Sequence, residues 1–102
     1  SDDMIVSSGY NIAGPEVEAC LLAHPDVMEC GVVGAPCPER GHIVKAYVVL
    51  REGVAGDAAM LKTLQDHVKA SIAPYKYPRA IDFVTALPKT ASGKLQRFAL
   101  RQ

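Results

Sequence analysis

His42-Ile43-Val44-Lys45-Ala46-Tyr47-Val48-Val49-Leu50-Arg51 alternates with the period of an extended chain. Val44, Ala46, Val48 and Leu50 fall on one face, because successive strand side chains point to opposite sides. Ile43, Tyr47 and Val49 leave the other face only partly polar, so the stretch predicts a strand covered on both sides. Before it, Ala35-Pro36-Cys37-Pro38-Glu39-Arg40-Gly41 is dense in turn residues, and before that Val27 to Gly34 reads as a second strand.

Moving outward, Asp57 is placed to cap a helix with Leu61, Leu64, Val68 and Ile72 inward and Lys62, Asp66 and Lys69 outward, ended by Pro74. Upstream, Gly14-Pro15 opens another helix, since proline is tolerated at the first helical position. Glu16 and Glu18 there complement the positive end of the dipole. Val17, Cys20, Leu21 and His24 recur at helical spacing until Pro25. Met4 to Val6 reads as a short strand, turned by Ser7-Ser8-Gly9, with Tyr10 to Ile12 as the returning arm. Ala80 to Val84 is a last strand and Leu95 to Arg101 a final short helix. The order β-α-β-β-α-β plus a C-terminal helix predicts an α+β two-layer sandwich. Its helices pack on a small, mostly antiparallel sheet beside a short N-terminal hairpin.

The 102 residues suit one domain, 49% hydrophobic and 22% charged as in ordinary globular proteins. Eleven basic side chains balance eleven acidic ones, which argues against a nucleic-acid domain relying on a strongly basic face. No apolar run approaches the ~20 residues of a membrane helix, and nothing resembles a signal peptide. Neither nucleic acid nor membrane is therefore an expected partner. Cys20, Cys30 and Cys37 contain no C-x-x-C pair, and Cys20 and Cys30 lie in apolar settings that suit buried free thiols. Reduced thiols suit the cytoplasm. A metal held by Cys30, Cys37 and His42 matches no common zinc spacing, and no metal site is assigned.

The chemistry concentrates in Pro88-Lys89-Thr90-Ala91-Ser92-Gly93-Lys94-Leu95-Gln96-Arg97. Ser92-Gly93 is a turn dipeptide, and it places Lys94 at a tip from which a compact ammonium can reach phosphate or carboxylate oxygens. The segment is not a P-loop, which needs glycine where Pro88 stands and Ser or Thr where Leu95 stands. Taken alone, Lys94 reads better as a solvated lysine at a helix start.

Other segments join it in order: Asp2-Asp3-Met4-Ile5, then Ser7-Ser8-Gly9-Tyr10-Asn11-Ile12, Pro15-Glu16-Val17-Glu18 and Pro74-Tyr75-Lys76-Tyr77-Pro78-Arg79. As an ordered set over essentially the whole chain, these resemble the small C-terminal domain of the adenylate-forming acyl/aryl-CoA synthetases. That superfamily also includes luciferases and peptide-synthetase adenylation domains. The run from Gly9 to Glu18 is most similar to ligases for small aromatic acids such as 2-aminobenzoate or benzoate.

The resemblance implies a compact α+β lid on a large N-terminal domain, in an enzyme using ATP (with Mg2+), coenzyme A and a small carboxylic acid. The acid first attacks the α-phosphate of ATP, and the CoA thiol then displaces AMP. By position in its motif, Lys94 is the adenylation lysine. Ser8, Gly9 and Tyr10 match the loop that lines the pantetheine tunnel after the lid rotates, and Asp2 matches the hinge. The family's Gly-Arg pair before the hinge and its phosphate-binding large domain lie outside residues 1–102, so the isolated lid is expected to be inactive. Tyr75, Lys76 and Arg79 combine aromatic faces and cations suited to an adenine and to CoA phosphates. They serve equally as a connection kept rigid by Pro74 and Pro78. Two other functions fit parts of the pattern: an adenylation-domain lid serving a carrier protein, and a non-enzymatic ferredoxin-like module binding a small ligand or RNA.

Overall fold

The structure is a computed structural model and describes residues 3–101. Strands β1 (Met4–Ser7) and β2 (Tyr10–Ala13) form an antiparallel hairpin that runs directly into helix α1 (Gly14–Leu22). Strands β3 (Val27–Cys37) and β4 (Gly41–Leu50) form a long antiparallel hairpin; helix α2 (Ala58–Ser71) then leads to β5 (Ala80–Phe83). β5 pairs with β4 in parallel, and the main sheet has the order β3-β4-β5. The expected α+β architecture is present, with one antiparallel and one parallel pair in the main sheet. The parallel pair follows from α2, which crosses over the sheet and returns the chain in the direction of β4.

Val44, Ala46 and Val48 of β4, with Cys30 and Val32 of β3, pack under Val17, Leu21, Leu64 and Val68 of the two helices. Six of these nine (Val17, Leu21, Ala46, Val48, Leu64 and Val68) are fully enclosed at 0% exposure, which makes this the centre of hydrophobic stabilisation. Asp57 caps α2 as expected, its side chain accepting from the Met60 N–H at 2.9 Å.

The opposite face of the sheet is covered by the C-terminal segment. A Cβ on Gly31 would lie 2.7 Å from Leu100 Cδ1 and 3.3 Å from Leu95 Cδ2, so these two leucines sit directly on the sheet. The Tyr47 hydroxyl donates to the Leu100 carbonyl at 3.2 Å. This explains why β4 is apolar on both sides.

Most boundaries shift by a residue or two, and two differ more substantially from the sequence reading. β3 continues through Pro36 to Cys37, leaving only Pro38-Glu39-Arg40 as the turn; β3 is an edge strand, where a proline is tolerated. The final helix shrinks to a 3-10 turn, Arg97–Leu100. Leu95 and Gln96 instead pair back onto the incoming arm, through a bridge from Lys89 to Leu95 and a bond from the Gln96 N–H to the Pro88 carbonyl.

Candidate functional site

The segment bearing Lys94 is a tight hairpin. The Gly93 N–H donates to the Thr90 carbonyl at 2.9 Å, and Gly93 has φ +86°, the left-handed residue that follows a type I turn in a bulged hairpin. The Thr90 N–H donates to the Lys94 carbonyl at 2.8 Å, and the Lys94 N–H donates to Thr90 Oγ1 at 3.0 Å. Both backbone groups of Lys94 are thereby fixed to one residue. The side chain is exposed and forms no ion pair with any described residue. The arm is pinned to the start of β3 by Lys89, whose ammonium lies 2.5 Å from Glu29. The backbone is thus held while an exposed cation projects outward.

Ser8 and Gly9 form the two-residue turn between β1 and β2, both with positive φ (49° and 82°), as in a type I′ hairpin. A Cβ on Gly9 would meet nothing within 4 Å. Glycine is therefore required here by backbone conformation, and the space beyond it is open. The turn is docked on the β3–β4 turn: the Ser8 N–H donates to the Arg40 carbonyl at 2.9 Å, and Arg40 Nε donates to the buried Ser7 hydroxyl at 3.1 Å.

These anchors place the two loops at opposite ends of the β3–β4 hairpin. Lys89 holds to Glu29, opposite Val49, while Ser8 holds to Arg40 beyond the Cys37–Gly41 pair. Eight residues of strand separate Glu29 from Cys37, roughly 26 Å at the usual strand rise. Seven residues of the same strand part Cys30 from Cys37. Cys30 is buried with its thiol against the Glu18 carbonyl, so it cannot share a metal with Cys37 and His42.

Of the remaining predicted residues, Tyr10 and Tyr75 come together, their rings 4.4 Å apart and tilted by 30°. Lys76 joins them from the 3-10 turn Pro74–Lys76, its ammonium 5.8 Å from the centre of the Tyr75 ring and 2.6 Å from Glu16 on α1. That hydrogen bond raises the Lys76 pKa, keeping the ammonium charged. Arg79 turns elsewhere. Its guanidinium lies over Tyr77 at 4.6 Å and bonds the Tyr77 hydroxyl, while Lys69 stacks on the same ring at 4.2 Å. Ser8, Gly9, Tyr10, Tyr75 and Lys76 thus make one connected patch, and Arg79 belongs to the neighbouring α2 surface. Asp2 lies outside the described residues.

Sequence reasoning missed the pair Glu18–Arg97. Glu18 is buried, accepting the Val32 N–H at 2.8 Å and a two-point clasp from Arg97, with Arg97 Nε 2.8 Å from Oε2. The Glu18 hydrogen bonds push the arginine pKa upward. Glu18 is not merely a complement to the helix dipole. It satisfies an edge-strand N–H and ties the C-terminal segment to α1. The available signal was its position three residues before Leu21, flanking the apolar face of α1.

Comparison with known proteins gives concordant results. The family described as AMP-binding enzyme C-terminal domain matches residues 16–94. The uncharacterized acyl–CoA ligase YtcI of Bacillus subtilis (strain 168) is 55% identical over 102 residues, covering 100% of this chain and 19% of the relative. The crystal structure of Brucella canis acyl-CoA synthetase superposes with TM-score 0.95 at 53% identity, over 98% of this chain and 18% of that one. An anthranilate CoA ligase, AuaEII, crystallised with anthranoyl-AMP, superposes with TM-score 0.88 at 43% identity, over 97% of this chain and 19% of that one. The chain therefore spans about a fifth of the length of these relatives. It belongs to the AMP-binding enzyme C-terminal domain family, and the full-length relatives it resembles are acyl-CoA ligases and synthetases.

Proposed function

We propose that this domain is the mobile lid of an ATP-dependent carboxylic acid–CoA ligase, supplying Lys94 to adenylation and the Ser8-Gly9-Tyr10 face to thioester formation. The observation that carries the reading is the separation of the Lys94 and Gly9 loops to opposite ends of the β3–β4 hairpin. Groups so placed on one rigid body cannot serve a single reaction centre at once. They can serve it in turn if the body rotates, pivoting near Asp2. The partner is a large N-terminal domain of the same chain.

In the first half-reaction a carboxylate oxygen attacks the α-phosphorus of ATP, the bond to the pyrophosphate oxygen breaks, and pyrophosphate leaves. Negative charge gathers between two anionic reactants, and the Lys94 ammonium offsets it where it develops. In the second, the CoA sulfur attacks the acyl carbon and AMP departs. Gly9 leaves room for the pantetheine arm, and the Tyr10–Tyr75 stack with Lys76 offers an aromatic surface and a cation at the channel mouth. Lys76 is already paired with Glu16, so we give it a secondary role, and Arg79 an outer one. Among the described residues no cluster of His, Cys, Asp or Glu is arranged to hold a metal, and we assign no ligand of Mg2+ to this domain.

We take the acid to be a small aromatic one, on the similarity of residues 9–18 to such ligases and the likeness to the anthranilate CoA ligase. The three free cysteines favour a reducing compartment such as the cytoplasm. The test is single-turnover kinetics on the full-length ligase with Lys94→Ala, using ATP and benzoate or 2-aminobenzoate. Adenylation should fall by roughly 100-fold or more, while thioester formation from supplied acyl-adenylate survives. Adenylation within a few-fold of wild type would return Lys94 to an ordinary surface lysine.

A further inference from the structure

After Lys94, Leu95 packs on the sheet at Gly31, and Arg97 is the first residue beyond it with a charge-bearing anchor. Its guanidinium clasps both oxygens of Glu18, which is 7% exposed and also receives the Val32 N–H. Arg97 Nη1 and Arg101 Nη2 both approach Asp3 Oδ1, at 3.8 and 3.7 Å. One arginine thus joins the lysine-bearing segment to α1, to the edge of β3 and to the residue after the expected hinge. Burying an ion pair is a poor way to gain stability, since an apolar pair of similar volume does as well or better. What a two-point clasp adds is a fixed direction: the fork meets a carboxylate in one orientation, where a hydrophobic contact could slide.

We infer that Arg97, held by Glu18, is a positioning residue for Lys94: it fixes the heading of the hairpin that presents the ammonium and so acts on adenylation alone. This rests on the adenylation role proposed for Lys94. Thioester formation draws on the Gly9 end of the β3–β4 hairpin, whose anchors are Ser8, Ser7 and Arg40, so it is indifferent to the clasp. The inference separates Arg97 from a residue that merely holds the domain folded, which would affect both ends.

The experiment uses the full-length ligase carrying Arg97→Lys or Glu18→Gln, each alone and combined with Lys94→Ala. Arg97→Lys keeps the charge and loses the fork. Glu18→Gln keeps an acceptor for the Val32 N–H and loses the ion pair, which protects the fold if the lysine variant is unstable. Benzoate, 2-aminobenzoate and butyrate are screened by ATP–pyrophosphate exchange, and the best acid and its synthetic adenylate are used throughout. Each single variant should lose about tenfold or more in adenylation, as a displacement near 1 Å can cost about 100-fold, while thioester formation stays within about twofold. In the Lys94→Ala background neither should cost further adenylation, because the two act through one group. Equal losses in both half-reactions, additive losses in the double variants, or wild-type adenylation by both single variants would overturn the inference. If Lys94→Ala itself adenylates normally, the lysine reading fails and takes this one with it. A dead Lys94→Ala beside active Arg97→Lys and Glu18→Gln refutes the positioning role alone.

Discussion

Gly31→Ala should loosen the C-terminal segment through a single methyl group. Gly31 lies in β3 with the Leu95 and Leu100 side chains packed where a Cβ would stand, at 2.7 Å from Leu100 Cδ1 and 3.3 and 3.5 Å from the two Leu95 methyls. Carbon atoms pack comfortably at about 3.5–4.0 Å, so Leu100 must withdraw by about 1 Å and Leu95 by a few tenths. Both groups are the ends of flexible side chains, and rotation absorbs part of the strain. Overpacking of this kind costs about 1–3 kcal/mol. Alanine also restricts the unfolded chain and returns about 0.4–1 kcal/mol. The net expectation is a loss of roughly 1 kcal/mol, or a Tm lower by about 4–8 °C for a domain of this size. Thermal unfolding followed by circular dichroism measures it. A variant as stable as wild type, or more so, would mean that the two leucines do not seal this face as described.

Two further predictions test other parts of the structure. Gly9→Ala and Gly9→Leu share the backbone cost of a non-glycine residue at φ +82° in a turn with no neighbour to clash with; only leucine adds bulk. In the full-length ligase, leucine should slow thioester formation well below the alanine variant while the two adenylate alike, and equal half-reactions in both variants would refute the channel role. Burial, reinforced by Glu18, pushes the Cys30 thiol from 9.0 up to about 12. The unfolded chain therefore releases this proton first as pH rises, so stability is whole below pH 9 and declines toward pH 12. Between pH 8 and pH 10 wild type should lose on the order of 1 kcal/mol relative to Cys30→Ala, read from urea unfolding; a pH-independent difference would contradict the burial of the thiol.

Elements whose signals are local were legible in the sequence. Val44, Ala46, Val48 and Leu50 declare a strand by alternation, Asp57 declares a helix start through its reach to the Met60 N–H, and Ser8-Gly9 declares a turn by tolerance of positive φ. The ordered motifs were also legible, and Tyr10 and Tyr75 proved to be neighbours. What stayed hidden depends on partners distant in the chain. Glu18 and Arg97 are 79 residues apart, and nothing in either flank announces that they meet. Leu95 and Leu100 look like the apolar side of a short helix, yet they lie on Gly31, and the backbone from Pro88 to Gln96 closes on itself instead. The turn of Arg79 toward Tyr77 was equally illegible, because a cation beside two tyrosines can stack on either.

The separation of the two loops constrains how such a domain can work. A loop closing over a fixed centre moves its tip while its base stays put, and the Lys94 hairpin is poorly suited to that. Its base is held by the Lys89–Glu29 pair, the Gln96–Pro88 bond and the Arg97 clasp, and its tip by Thr90. The Gly9 turn is held as firmly by Arg40. Between them runs a β3–β4 hairpin whose core residues are buried, and bending it would break the shared core that Val48 and Ala46 form with residues of both helices. Under the proposed function, delivering either loop is therefore cheaper by moving the whole domain than by deforming any part of it. On that same proposal, a rigid clasp such as Arg97–Glu18 is useful only in that regime, since a heading fixed within the domain would become a heading at the reaction centre once the domain is seated.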